Sequence, residues 1–205
     1  MPLVFHALPI SGNCLKVRLL LSMLEVPFEE RTVTPQVGGT RTPEFLAINP
    51  LGHVPVIEDT AEDGRRIVIR DSQAILVYLA RRHDADGTWY PLDAVAAGQV
   101  QQWLSFAANE MWHGPALARA FFRFGRELDI AATQTAARRV LGLIDDHLAG
   151  RDWLECGHPT VADLAVFPYA GLAHEGQVDL APYRRLRAWV DRVKALPGYV
   201  GIEGL

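Results

Sequence analysis

Short apolar runs alternate with helical ones over the first eighty residues. Leu3–His6 is a brief apolar run that fits a buried strand. Asn13–Leu24 is apolar on nearly every side, with Lys16 and Arg18 its only charges, which predicts a mostly buried helix. A second strand is expected over Phe28–Val33, directly after Pro27. At Thr42–Ala47, Thr42 as N-cap and Pro43 at the first helical position predict a short helix. Val54–Glu58 and Arg66–Arg70 are β-rich and flank the turn-rich segment 59–64, the pattern of an antiparallel hairpin. Asp71 and Ser72 then open a helical segment whose apolar stripe runs through Ile75, Leu76 and Leu79. The order βαβαββα predicts a small mixed sheet, four-stranded, with helices on both faces.

Residues 84–93 are rich in Asp, Gly and Pro and read as a linker. No strand pattern follows it. Helices are expected over Ala94–Ala120, Ile130–Ala149, Thr160–Leu172 and Pro182–Leu196. Thr160-Val-Ala-Asp163 has the form of a capping box with Asp at its fourth position. The expected division is therefore an α/β domain at 1–83, a linker at 84–93 and an all-α domain at 94–205.

Composition narrows the function without choosing it. The 205 residues are 49% hydrophobic and carry a net charge of −4. That is an ordinary globular composition, and it lacks the basic signature of a nucleic-acid binder. The opening residues 1–11 have no basic region followed by a long apolar one, so they do not read as a signal peptide. No apolar run has the length of a membrane span. Cys14 and Cys156 stand far apart, which disfavours a disulfide scaffold, and a reducing cytoplasm is the expected location. The seven histidines are scattered without an i, i+4 pair or Cys/His cluster, so no metal is expected.

Four local patterns carry the candidate chemistry: Ser11-Gly-Asn-Cys14, Asn49-Pro-Leu-Gly-His-Val-Pro55, Asp71-Ser72 and Thr160–Asp163. Each alone is weak. Ser11 by itself reads as a helix N-cap, and Asp71-Ser72 as simple capping. Together, in this order and spacing, they resemble the soluble glutathione transferases over essentially the whole chain, of a bacterial-like, serine-type kind. The resemblance implies a thioredoxin-like N-terminal domain, an all-helical C-terminal domain, glutathione as co-substrate and a homodimer.

The same resemblance implies roles for individual residues. Ser11 would donate a hydrogen bond to the glutathione sulfur, with Asn13 a second donor. A cis Val54–Pro55 bond would turn the Val54 backbone toward the peptide, with His53 at the rim. Ser72 would bind the γ-glutamyl carboxylate and Asp71 the α-amino group, while Arg41 would grip the glycine carboxylate. Leu8, Asn109, Trp112 and His113 are candidates for the pocket of a small electrophilic substrate. Cys14 stands where a glutaredoxin has its second cysteine, but inside an apolar helix it reads as a core residue. Cys156 reads as structural. Conjugation of an apolar electrophile is the leading expectation. Glutathione-dependent disulfide reductase or peroxidase chemistry and a non-catalytic binding protein are the alternatives.

Overall fold

The computed structural model describes residues 2–34 and 38–205. Its sheet has the order β2-β1-β3-β4, with β1 (Leu3–Ala7), β2 (Phe28–Thr32), β3 (Val56–Thr60) and β4 (Arg66–Ile69). β1 and β2 are parallel and joined through α1 (Gly12–Met23), whereas β3 runs antiparallel to both β1 and β4. β3 starts two residues later than the apolar pattern suggests. Pro55, in cis linkage to Val54, has no N–H to give a ladder. β2 is an edge strand, and its exposed Glu29, Glu30 and Arg31 suit an edge that must not recruit another strand.

Successive strand residues face opposite sides, and the sheet uses this. Ile57 joins the main core with Phe5 and with α1 and α3 (Ser72–His83), while Val56 joins Val33 and Phe45 of α2 (Pro43–Ile48) in a second cluster. Thr42 caps α2 by accepting from the Phe45 amide at 3.2 Å, as its sequence predicts.

The rest of the described chain is helical: α4 (Ala94–Ala108), α5 (Leu117–Phe124), α6 (Ile130–His147), α7 (Val161–Gly171) and α8 (Arg184–Lys194). The single helix expected over Ala94–Ala120 is broken. α4 ends at Ala108, and Trp112–Ala116 forms a wider π turn before α5. Pro115 lies in that turn; it has no N–H to donate and its ring crowds the preceding turn, which a wider turn accommodates. Cys156, read as structural from sequence, is exposed, on a backbone with φ 62°.

α7 is the hub. All its residues are buried, and its N-terminus is tied down by Asp163. The Asp163 carboxylate accepts from the Thr160 amide (2.9 Å), the Leu154 amide (3.1 Å) and Trp189 Nε1 (2.8 Å). Burial pushes the Asp163 carboxyl above its ordinary range, and these donors pull against it. The linker joins at the same place, because the Val161 amide donates to the Trp89 carbonyl at 2.9 Å.

From this base α7 reaches α1. A Cβ at Gly12 would lie 2.8 Å from the Tyr169 ring, so only glycine lets the two helices approach this closely. One turn further along α1, Lys16 is fully buried, with its Nζ 5.4 Å from the centre of the same ring. Among the described residues that Nζ has no hydrogen-bond partner. Burial lowers the Lys16 ammonium to about 7, while the Asp71 carboxylate works to hold the proton on.

Two stability predictions follow from this packing. Asp163→Ala strands two buried amides and an indole N–H, so urea unfolding should lose more than about 3 kcal/mol with m unchanged; a loss below about 1 kcal/mol would contradict the anchoring role. For Lys16, an unfolded lysine holds its proton up to its ordinary 10.5, whereas the folded one releases it near about 7. The unfolded chain therefore binds more protons in that window, and stability rises with pH across it. Wild type should gain stability relative to Lys16→Met between about pH 7 and about pH 9. Equal slopes would mean that Lys16 meets solvent.

Candidate active site

Sheet topology gathers the candidate residues at one end. β1 and β3 pair with His6 opposite Val56, so the chain leaving β1 lies beside the chain entering β3. β3 and β4 pair with Ile57 opposite Ile69, so Arg70, Asp71 and the start of α3 emerge at that same end. The mouth of α1, the Val54–Pro55 segment and the mouth of α3 thus share one rim. Each adjoins a strand end, where a scaffold holds loop residues most firmly.

Ser11 is the N-cap of α1, half-buried, with its Oγ accepting from the Cys14 amide at 3.3 Å. The hydroxyl proton has no acceptor among the described residues. Asn13 is half-buried in the first turn of α1, and its side-chain amide is likewise without a described partner. Leu8 sits in the turn before them, where its carbonyl accepts from the Ser11 amide at 3.0 Å. The Leu8 amide meets Cys14 Sγ at 3.4 Å. Burial raises the Cys14 thiol to about 11, against the pull of Ser11 and of the Leu8 amide. Cys14 is therefore a core thiol and no nucleophile at neutral pH.

The Val54–Pro55 peptide is cis, as the family resemblance implies. Neither the N–H nor the C=O of Val54 has a partner among the described residues. The loop before it is held by Asn49, which sequence reading passed over as part of a turn. Asn49 is fully buried; its Nδ2 donates to the His53 carbonyl at 2.7 Å and its Oδ1 accepts from the Leu51 amide at 3.2 Å. The His53 ring is exposed. Arg41 is exposed too, and its guanidinium covers Gly52: a Cβ there would stand 2.8 Å from Nη1. Arg41 and His53 thus flank the same loop.

Asp71 caps α3, with Oδ1 accepting from the Gln73 (3.0 Å) and Ala74 (2.9 Å) amides. Ser72 is buried at the first helical position. The Gln73 side chain, another residue not singled out from sequence, fits with its amide nitrogen 2.7 Å from Ser72 Oγ and its oxygen 3.3 Å from the Ala108 nitrogen. That contact brings the end of α4 against the mouth of α3.

Of the pocket candidates, Asn109, Trp112 and His113 lie together on the connection between α4 and α5, just beyond Ala108. His113 is exposed, with Nδ1 2.9 Å from the Asn109 carbonyl, and Arg126 stacks on Trp112 at 5.8 Å. Leu8 lies at the mouth of α1. A concave space of about 520 Å³, lined by Asp145, Pro182, Arg184, Arg185 and Ala188, contains none of these residues. Among the described residues no group of three His, Cys, Asp or Glu side chains could hold a metal ion, and no helix is long and apolar enough to cross a membrane.

Known proteins match both halves of this arrangement. Residues 10–82 match the glutathione S-transferase N-terminal domain and residues 115–192 the glutathione S-transferase C-terminal domain. Glutathione S-transferase verG of Clonostachys rogersoniana is 30% identical, over 96% of this chain and 85% of its own length. A glutathione S-transferase crystal structure from Xanthobacter autotrophicus Py2 is 35% identical and superposes with a TM-score of 0.86, covering 98% of this chain and 97% of that one. A glutathione transferase family member from Pseudomonas fluorescens Pf-5, solved with two glutathione bound, is 26% identical with a TM-score of 0.84, covering 96% of this chain and 89% of that one. The chain belongs to the glutathione S-transferase family.

Proposed function

We propose that this protein is a glutathione transferase that stabilises the glutathione thiolate and directs it to a small, apolar electrophile. The observation that carries this reading is the convergence of three unpaired or receptive groups on one rim: the Ser11 hydroxyl, the open Val54 backbone and the α3 mouth with Ser72. A tripeptide with a thiol at its centre and a zwitterionic γ-glutamyl end suits those three in order. Residues 1–83 form the glutathione-binding domain, 84–93 the linker and 94–205 the helical domain that adds the electrophile pocket.

The energetics set the task for Ser11. A free thiol of this type has a pKa near about 8.5, so about 3% is thiolate at neutral pH. Lowering it to about 6.5 makes thiolate the majority form and requires about 2.7 kcal/mol. A hydroxyl donor to a charged acceptor supplies about 1.5–3 kcal/mol, and the α1 N-terminus adds a smaller favourable field. Ser11 donates its free proton to the sulfur while its oxygen still caps the helix, and Asn13 is the second donor. Val54 pairs with the cysteinyl backbone as an added strand would. Asp71 takes the α-amino group, Ser72 the α-carboxylate, and Arg41, with His53 at the rim, the glycine end. Leu8, Asn109, Trp112 and His113 face the second substrate. The protein acts as a cytoplasmic homodimer.

Ser11→Ala should lower kcat with an aryl halide about 10- to 100-fold while the KM for glutathione stays within about 3-fold, because the lost bond is made to the thiolate and not to the peptide. The same preparations are assayed with a peroxide and a mixed disulfide. Failure of wild type to bind glutathione would refute the transferase reading. Full turnover by Ser11→Ala with loss in Asn13→Ala would move the donor to Asn13.

A further inference from the structure

The α-helices that start from loops differ in what meets their positive ends. α3, α4 and α6 are capped by Asp71, Asp93 and Asp129, and α2 and α7 carry Glu44 and Asp163 in their first turns. Early amides of α8 donate to Asp145. α1 is capped by the neutral Ser11 and has no acidic residue in its first turn. It adds a cation instead. Lys16, one turn inside, is fully buried, and its Nζ has no hydrogen-bond partner among the described residues. A buried ammonium so placed is costly, and a Met would pack there without that cost.

The packing shows where this charge is aimed. A long side chain on a helix leans toward the N-terminus, over the turn before its own Cα. The contacts of Lys16 agree with that lean. Its Nζ stands 5.4 Å from the centre of the Tyr169 ring, and that ring meets α1 at Gly12, where a Cβ would lie 2.8 Å from Cε1 and 2.9 Å from Cζ. The ammonium thus lies under the first turn of α1, on the order of 10 Å from a sulfur bound beside Ser11. Helix end and ammonium are like charges that repel each other in the free protein, and an anion at the mouth relieves both. We infer that Lys16 is a buried counter-charge for the ligand thiolate, acting from beneath the α1 mouth while Ser11 donates at its rim. This rests on the glutathione reading above, and it adds to that site a residue that touches no ligand atom. Besides Tyr169, the groups acting here are Asp71 from α3, Cys14 of α1 and Arg119 of α5. Burial keeps Tyr169 and Cys14 neutral at neutral pH, and Arg119 is paired with Glu175 at 2.7 Å. Asp71 is present alike beside glutathione and its S-methyl ether, so it cannot make the two ligands differ in their effect on Lys16.

Two readouts test the inference. With saturating glutathione, kcat toward an aryl halide should rise with pH as the bound thiol ionises. Lys16→Met should move that midpoint up by about one pH unit, the size Coulomb's law gives at about 10 Å and an effective permittivity of about 20. The alkaline plateau should stay within about 2-fold, whereas a merely structural loss would lower the plateau and leave the midpoint in place. Should the variant fold poorly, wild type carrying 13C-labelled lysine decides the matter, with Lys194, the only other lysine, as internal reference. Burial lowers the Lys16 ammonium to about 7, which puts its titration within reach. By reciprocity, glutathione should hold the Lys16 midpoint about one pH unit above its value with S-methylglutathione, whose sulfur carries no charge, and Lys194 should not distinguish the two. Wild type that binds neither ligand would refute the glutathione reading itself. Wild type that binds both, with one Lys16 midpoint under the two ligands or an unmoved kcat midpoint in Lys16→Met, would overturn only this inference.

Discussion

The close approach of α1 to α7 at Gly12 is the constraint on which the site depends. Tyr169 rests against the backbone at position 12, one residue from Ser11, leaving no room for a side chain there. The mouth of α1 is therefore set by a helix from the other half of the chain. That helix is in turn fixed by Asp163, whose carboxylate ties the Thr160 turn, the Leu154 amide and Trp189 of α8 into one buried network. In the role proposed for it, Ser11 would meet a ligand sulfur within hydrogen-bond distance and needs such support, because a displacement of about 1 Å is enough to lose much of a donor's effect. The far end of the molecule thus acts on the chemistry through packing alone.

Two sulfurs illustrate how the same helix end can act in opposite directions. Cys14, buried in the first turn of α1, has its thiol pushed up to about 11, since burial outweighs the donors around it. A ligand thiol at the mouth of that helix would keep the donors and escape most of the burial. Ser11 and Asn13 are only half-buried, so the mouth is open where the core is closed. In the proposed site, a silent protein thiol and an active substrate thiol would be divided by a depth difference of one helical turn.

Much of the fold was legible because local signals and global packing agree. The Thr42-Pro43 start of α2 and the Thr160–Asp163 box form where the sequence puts them, and the β3–β4 hairpin forms with β3 shifted by two residues. Ser11 and Asp71 were legible as helix caps for the same reason, and their candidacy as ligand residues rests on good caps and good anion sites sharing residue types. What escaped depends on partners distant in sequence. Lys16 is one of two charges on an apolar helix, and its burial under Tyr169 of α7 depends on a residue about 150 positions later in the chain. Gln73 gains meaning from Ala108, and Asn49 from the loop that it closes on itself. The break between α4 and α5 was hidden because the apolar pattern runs straight through Pro115.

Whether the α1 mouth stabilises a thiolate is read directly from the ultraviolet absorbance of thiolate in the glutathione complex. Titrated against pH, the bound thiol of the wild-type complex should ionise about two pH units below the free value of about 8.5. A bound thiol that still ionises near about 8.5, with glutathione demonstrably in the site, would contradict the account.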